Sequence, residues 1–497
     1  MLRLEEVMDR STALFRNSPD FAIPEVRFSQ IGEWSDGRFP FFVTRQVDRR
    51  GVLVVRNAVQ KDTALRWRDD LLGYLEENGL DGEPAGVRDV FWSRPQVQAR
   101  EDVRIRKVLS ALNRLWKPDP RSAVDLSKTL SYCDRAFVGV PTCSSELSGG
   151  GAVMGGGPSA FQRWMNPLHQ EAYHEIFDGR WEDWSPFKAG PRIRAAEAAD
   201  AFMPEAESLM GHGSPSSPVS RGFNGGVRGG AGTPQAFRPF HGYLALGRWG
   251  ELGNVHVVPM MRVATAYVLL RPFASDVLGS GSSPEEDWMC GALDGPELRL
   301  SPKWHQPVLD ALVRLPPLSP GDAVFWHTDT VHCEASAMSR AAVIAERARV
   351  SAAVEARGHS EGTPRPLPGG RGRGDDDGMG RFDPDHFVGI QLSSMPVCEA
   401  NSLYVKAQAG AFLKGTAPPG FLRTAGRYPR SRPQSGPRPN VEVEIGVGGE
   451  SRFAGRATRE DLTRGGEQAM GVRSFHKEHY NVALEKHHHL LDLPYMW

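Results

Sequence analysis

Leu318-Ser319-Pro320-Gly321-Asp322-Ala323-Val324-Phe325-Trp326-His327-Thr328-Asp329-Thr330-Val331-His332-Cys333-Glu334-Ala335 holds more structural and chemical information than any other run of the chain. Pro320-Gly321-Asp322 is turn chemistry, since proline fixes φ and glycine tolerates positive φ. Ala323 to Trp326 follows as a short apolar run, the length of one buried strand. On an extended chain His327 and Asp329, two residues apart, point the same way, and His332 lies just past them, where the strand ends or bends. Two histidines and a carboxylate facing one side are the ligand set of a non-haem iron(II) site, which leaves positions open for cosubstrate and oxygen. The plainer alternative is a set of polar residues at a strand end.

Composition narrows the class. The 497 residues are enough for one large domain or several ordinary ones, and 59 basic against 60 acidic residues give no global pull towards nucleic acid or an anionic membrane. Gly (54) and Pro (38) are abundant and clustered, so part of the chain is expected to lie outside any packed core. Cys133, Cys143, Cys290, Cys333 and Cys398 form no CxxC pair and are odd in number, which argues against a disulfide framework or zinc ribbon and for a reducing compartment. Met1-Leu2-Arg3-Leu4-Glu5-Glu6 has no apolar signal core, and no run approaches a membrane span. A soluble cytoplasmic protein is expected.

Residues 1–50 read as an N-terminal extension. A single domain is expected over 51–475, interrupted by loose insertions near 144–159, 211–235, 354–383 and 425–447, with a His-rich tail over 476–497. Gly51 to Arg56 reads as a buried strand. A helix follows on Ala64, Leu65, Trp67, Leu71, Leu72 and Tyr74, and another over 103–116. Strands are expected over 129–140, 237–246, 255–259, 265–271 and 387–392, then an amphipathic helix over 401–413. Short strands punctuated by Gly and Pro suggest an antiparallel sandwich or barrel. Gly149-Gly150-Gly151 and Gly155-Gly156-Gly157 lack a P-loop lysine and read as flexible. The Arg-Gly pairs of 354–383, beside Asp375-Asp376-Asp377, read as a solvated insertion rather than an RNA-binding tract. His476, His479 and His487-His488-His489 read as exposed and non-catalytic.

Several ordered motifs, taken in sequence, resemble the YbiU-like domain-of-unknown-function family of fungi and bacteria. They include Gly51 to Arg56, Phe91-Trp92-Ser93-Arg94-Pro95-Gln96, Arg163-Trp164-Met165-Asn166-Pro167 and Phe237-Arg238-Pro239-Phe240-His241-Gly242. Ala266 to Phe273, Pro320 to His332, Pro396-Val397-Cys398-Glu399-Ala400-Asn401 and Phe412-Leu413-Lys414-Gly415 continue the match. The resemblance implies a mostly-β double-stranded β-helix (jelly-roll, cupin-like) core with flanking helices. It also implies an activity similar to iron(II)/2-oxoglutarate-dependent dioxygenases, acting on an unknown small molecule.

In such enzymes an upstream His-x-Asp pair and a distal histidine hold the metal, and the resemblance makes His332 the distal one. Relatives carry the upstream pair just after the Pro-Thr that matches Pro141-Thr142. This chain has Cys143-Ser144-Ser145 there, and counting back from Arg163-Trp164 reaches Gly155-Gly156-Gly157 instead. Neither register supplies a histidine or an aspartate. Three explanations stand: a pseudoenzyme that keeps the fold and binds ligands without iron, a mis-spliced or mis-predicted product, or His327 and Asp329 acting as a local pair. If iron(II) binds, 2-oxoglutarate would chelate it, and an arginine fork would anchor the far carboxylate; Arg271 is the first candidate and Arg340 the second.

Overall fold

A computed structural model describes residues 1–17, 21–32, 37–81, 86–118, 123–139, 141–142, 152–154, 170–196, 236–249, 255–274, 290, 298–333, 336–337, 387–419, 421 and 449–473. Two sheets organise these residues. The larger has seven strands in the order β1 (Glu25–Arg27), β2 (Val52–Arg56), β12 (Ala323–His327), β8 (Phe240–Ala245), β15 (Phe387–Ser394), β5 (Ala136–Gly139) and β3 (Gly86–Arg88). Its β1–β2 pair is parallel and the rest antiparallel. The smaller has five strands, β10 (Leu298–Arg299), β7 (Ala152–Met154), β13 (Val331–Cys333), β9 (His256–Val257) and β11 (Val313–Arg314). Two short ladders pair β4 (Val124–Asp125) with β16 (Val397–Cys398), and β6 (Pro141–Thr142) with β14 (Ser336–Ala337).

Alternation along the central strands divides the core in two. Val52, Val54, Tyr243, Ala245, Val324 and Trp326 share a cluster with Met154, Val257, Val331 and Cys333 of the smaller sheet. Leu53, Val55, Leu244, Ala323, Phe325 and Ile390 face the other way and pack with Leu71, Leu75, Ile105, Val108 and Leu112. Those last five belong to α3 (Lys61–Glu77) and α5 (Val103–Asn113), whose apolar residues recur at helical spacing. Further helices are α1 (Leu2–Asn17), α2 (Phe41–Arg50), α4 (Arg94–Glu101), α6 (His174–Phe177), α7 (Met261–Leu270), α8 (Pro302–Leu309), α9 (Glu399–Lys414) and α10 (Arg464–Ala469), and residues 189–196 are also helical.

The expected mostly-β jelly roll is overturned. Helical residues outnumber strand residues, the seven-stranded sheet is mixed with open edges at β1 and β3, and no barrel closes among the described residues. One cause is visible at Thr265 to Arg271, whose threonine, tyrosine and valine suggest a strand. Those residues instead belong to α7 and the turn after it. Met261, Ala264, Thr265, Ala266, Tyr267, Val268 and Leu269 are buried, and Arg262 is the one charged residue of the helix, too little polar surface to reveal its period. The Gly-rich tract of 144–159 contributes β7, which pairs with both β10 and β13. The expected insertions over 211–235, 354–383 and 425–447, the histidine tail and Arg340 lie outside the described residues.

Glycine is required where strands approach most closely. A Cβ on Gly242, in mid-β8, would lie 1.9 Å from the Val324 carbonyl oxygen of β12. Gly51 closes α2 in the left-handed region at φ 73°.

Candidate functional site

Register places the polar residues of the inner face. Trp326 pairs with His241, and His241 with Ser393; Val324 pairs with Tyr243, and Tyr243 with Gln391. Residues directly opposite in an antiparallel ladder project to the same side. His332 comes from the other sheet, and its ring meets that of Trp326 at 5.0 Å between centroids. His332, Trp326, His241, Ser393, Tyr243 and Gln391 therefore form one polar strip between the sheets, and partly exposed His241 connects it to solvent.

Two polar atoms on this strip, Gln391 Oε1 and Trp326 Nε1, have no hydrogen-bond partner among the described residues. Both side chains are buried, and Gln391 uses its amide nitrogen to donate to the Tyr243 hydroxyl at 2.9 Å. One acceptor and one donor thus face the inter-sheet region unsatisfied, each at a cost of about 1–3 kcal/mol unless a ligand or water supplies the partner.

His332 is held in a defined tautomer. Its Nδ1 lies 3.0 Å from the Thr330 carbonyl oxygen, which can only accept, so Nδ1 carries the proton and Nε2 the lone pair. Burial pushes its pKa down to about 4, against the smaller opposing effect of that hydrogen bond. The ring is neutral near pH 7. Metal-ligating histidines show the same arrangement, with one nitrogen clamped and the other basic.

His327 and Asp329 are brought together, but not towards His332. The Asp329 backbone N–H donates to His327 Nδ1 at 3.1 Å, and the Asp329 carboxylate approaches the same nitrogen at 3.8 Å. His327 stacks on Trp116, centroids 4.9 Å apart, with Phe187 and Phe240 edge-on. Phe187 and Phe240 belong to the helix-side core, whereas Trp326, which meets His332, belongs to the inter-sheet core. Neighbouring residues of β12 thus send His327 and Trp326 to opposite faces.

The carboxylate of Asp329 is engaged on both oxygens. Tyr173 donates to Oδ1 at 2.8 Å, Arg192 Nη1 reaches Oδ1 at 3.4 Å, and Arg192 Nη2 pairs closely with Oδ2. Burial, the largest single influence, would lower the Arg192 pKa, but the charges of and hydrogen bonds to Asp329 and Tyr173 together outweigh it and the net shift is upward. Arg271 caps α7, where its Nε donates to the Trp304 carbonyl at 3.0 Å. Trp184 is core, packed beside Tyr173 at 5.8 Å, while Trp181 is partly exposed.

Iron(II) needs three converging ligands. No group of three or more His, Cys, Asp or Glu side chains able to hold a metal occurs among the described residues. His332 fits such a role, but Asp329 is committed to a guanidinium and His327 to an aromatic box, so the described donors do not fit an iron(II) centre. Sequence reasoning missed Arg192 and Tyr173 because they lie 137 and 156 positions from Asp329, with no local motif linking them.

The profile of the Gig2-like family matches residues 2–472. The chain belongs to the Gig2-like family. This Gig2-like chain is 29% identical over 306 residues to the protein YbiU of Escherichia coli (strain K12), a match spanning 58% of the chain and 63% of YbiU. Among solved structures it is similar to GlcNAc-inducible gene 2, GIG2, of Candida albicans, with TM-score 0.65 at 20% identity, covering 97% of this chain and 87% of that one. A Salmonella typhimurium LT2 protein proposed to be an oxidoreductase gives TM-score 0.64 at 24% identity, covering 94% and 91%. The hypothetical protein JW0805 of Escherichia coli gives 0.62 at 23%, covering 94% and 91%. These structures share the fold of the Gig2-like chain. No helix among the described residues is long and apolar enough to cross a membrane.

Proposed function

We propose that this chain binds a small polar molecule on the inter-sheet strip, using a scaffold of oxidoreductase type. The observation that supports the reading most directly is the unsatisfied pair on that strip, Gln391 Oε1 and Trp326 Nε1, on the face that meets His332. A ligand carrying a donor for the first and an acceptor for the second would relieve both.

The second reading is an iron(II)/2-oxoglutarate-dependent dioxygenase, and the clamped tautomer of His332 favours it. Iron, when bound, would supply the oxidative chemistry, and His332 would be one protein ligand. The commitment of Asp329 to Arg192 and Tyr173 weighs against this reading and towards simple binding.

One experiment separates them. The full chain is incubated anaerobically with iron(II), then given 2-oxoglutarate, ascorbate and air, and both iron per chain and succinate are measured. The binding reading expects iron far below one per chain and no succinate above background. It also expects small polar acids to raise the melting temperature of the wild type and to do so less in Trp326→Phe. Stoichiometric iron with succinate release would establish the dioxygenase and remove the binding reading.

A further inference from the structure

Arg238 lies just before β8, and its guanidinium is not paired as a buried charge ordinarily is. The residue is only 3% exposed. Among the described residues its acceptors are His241 Nδ1, 3.4 Å from Nη1, and the Asp134 carboxylate, whose nearer contact is 3.7 Å. The first is an imidazole nitrogen at the limit of hydrogen bonding, and the second lies beyond it. Asp134 is also shared, because its other oxygen accepts from the Arg135 backbone N–H at 2.9 Å and lies 3.8 Å from Arg135 Nε. One carboxylate thus stands between two guanidinium groups, close to neither. The guanidinium carbon of Arg238 lies 4.1 Å from the centroid of the Tyr132 ring, and pairing with an anion would use its N–H groups.

A guanidinium offers five donors in a fixed fork, and burying one without a close anion is costly. His241, which Arg238 approaches, is also 3.3 Å from Ser393 Oγ and sits on the polar strip described above. The arginine fork and the strip therefore meet at the partly exposed end of the inter-sheet region.

We propose that Arg238 is the anchor for a carboxylate group of the bound molecule, which makes the ligand a small organic acid. This rests on the inter-sheet binding reading and names its ligand class. The carboxylate would take the N–H edge that Asp134 does not reach, with Ser393 Oγ as an auxiliary donor. The planar, two-point geometry of the fork matches a carboxylate.

The test uses the full chain and isothermal titration with glutarate, its neutral diamide and inorganic phosphate. Glutarate is expected to bind more tightly than the diamide, and to lose at least tenfold in affinity in Arg238→Gln. Arg238→Lys, which keeps the charge but not the fork, should fall between. Asp134→Asn keeps the oxygen that accepts from Arg135 while removing the competing charge, so it should tighten glutarate binding severalfold. An arginine that merely held the fold together would not produce that gain, and the gain stays measurable if Arg238→Gln fails to fold.

Equal binding of glutarate and its diamide, unchanged in Arg238→Gln and in Asp134→Asn, would overturn the anchor and leave the inter-sheet reading standing. Phosphate binding without glutarate binding would overturn the carboxylate assignment. Binding of none of the three would remove the anchor, and a wild-type melting temperature unmoved by any polar acid would remove the inter-sheet reading with it.

Discussion

Arg192 and Asp329 form an ion pair sealed from solvent, with side chains 7% and 0% exposed. The pair joins residues 189–196 to the turn between β12 and β13. Tyr173 completes it, and Thr265 adds a hydroxyl donated to the Asp329 carbonyl at 3.2 Å. Removing one member of a buried pair leaves the other charge uncompensated. Arg192→Ala is therefore expected to lower the unfolding free energy by about 3–5 kcal/mol. Replacing both residues with apolar ones of similar volume should recover much of that loss. Urea denaturation of the single and double variants measures both.

Acid should destabilise the protein through two buried histidines. The pKa values of His332 and His305 are each lowered to about 4, first by burial. Below a pH of about 6.5 the unfolded chain takes up protons that the folded chain refuses, so stability falls as pH drops from there to about 4. Each histidine accounts for about 3 kcal/mol of this loss. His332→Leu should flatten part of the slope, seen as a smaller change in denaturation midpoint between pH 7 and pH 4.5.

Glu450 works with the opposite sign. Burial raises its pKa to about 7, even though its carboxyl accepts from the Tyr74 hydroxyl at 2.5 Å, from the Phe91 N–H at 2.6 Å and from the Trp92 N–H. The folded chain keeps this proton above pH 4.5, where the unfolded chain releases it, so the stabilisation present below 4.5 is lost as pH rises through 7. Glu450→Gln stays neutral at every pH and can satisfy the same three partners. It is expected to gain on the wild type by up to about 3 kcal/mol between pH 5 and pH 8. Paired urea titrations at the two values test this; a constant gap would refute it.

Gly242→Ala should be among the most damaging small substitutions in the chain. The added methyl would meet the Val324 carbonyl at 1.9 Å and Phe325 Cα at 2.9 Å, both backbone atoms of the neighbouring strand. Main chain cannot swing aside as a side chain can, so β8 and β12 would have to part. Loss of more than about 3 kcal/mol is expected, read as a fall in melting temperature or in soluble yield.

Much of the central sheet was legible in the sequence. The strand expected from Gly51 to Arg56 is β2, the run from Ala323 is β12, and the strand starting at Phe387 is β15, two residues longer than expected. Their apolar runs are bounded by turn residues, which is the pattern a buried strand leaves. Element type failed at α7, where seven of the ten residues are buried and the helical period is blurred. The fold class failed with it, because short apolar runs bounded by Gly and Pro mark the strands more plainly than the helices that cover them. The inter-sheet strip was legible in pieces only: His241 was visible as a strand histidine, but its meeting with Trp326, Ser393 and Arg238 depends on register between distant strands. The partners of Asp329 were illegible for the same reason, because ion pairs across 137 positions follow from packing and leave no local spacing.

Thr330 donates its hydroxyl to the Gly51 carbonyl at 2.9 Å, while its own carbonyl receives the His332 imidazole. The acceptor leaves the ribosome 279 residues before the donor that seeks it. The orientation of His332 is therefore a late event in synthesis, deferred until most of the polypeptide exists, and a nascent chain stalled short of Thr330 carries the anchor with nothing yet moored to it.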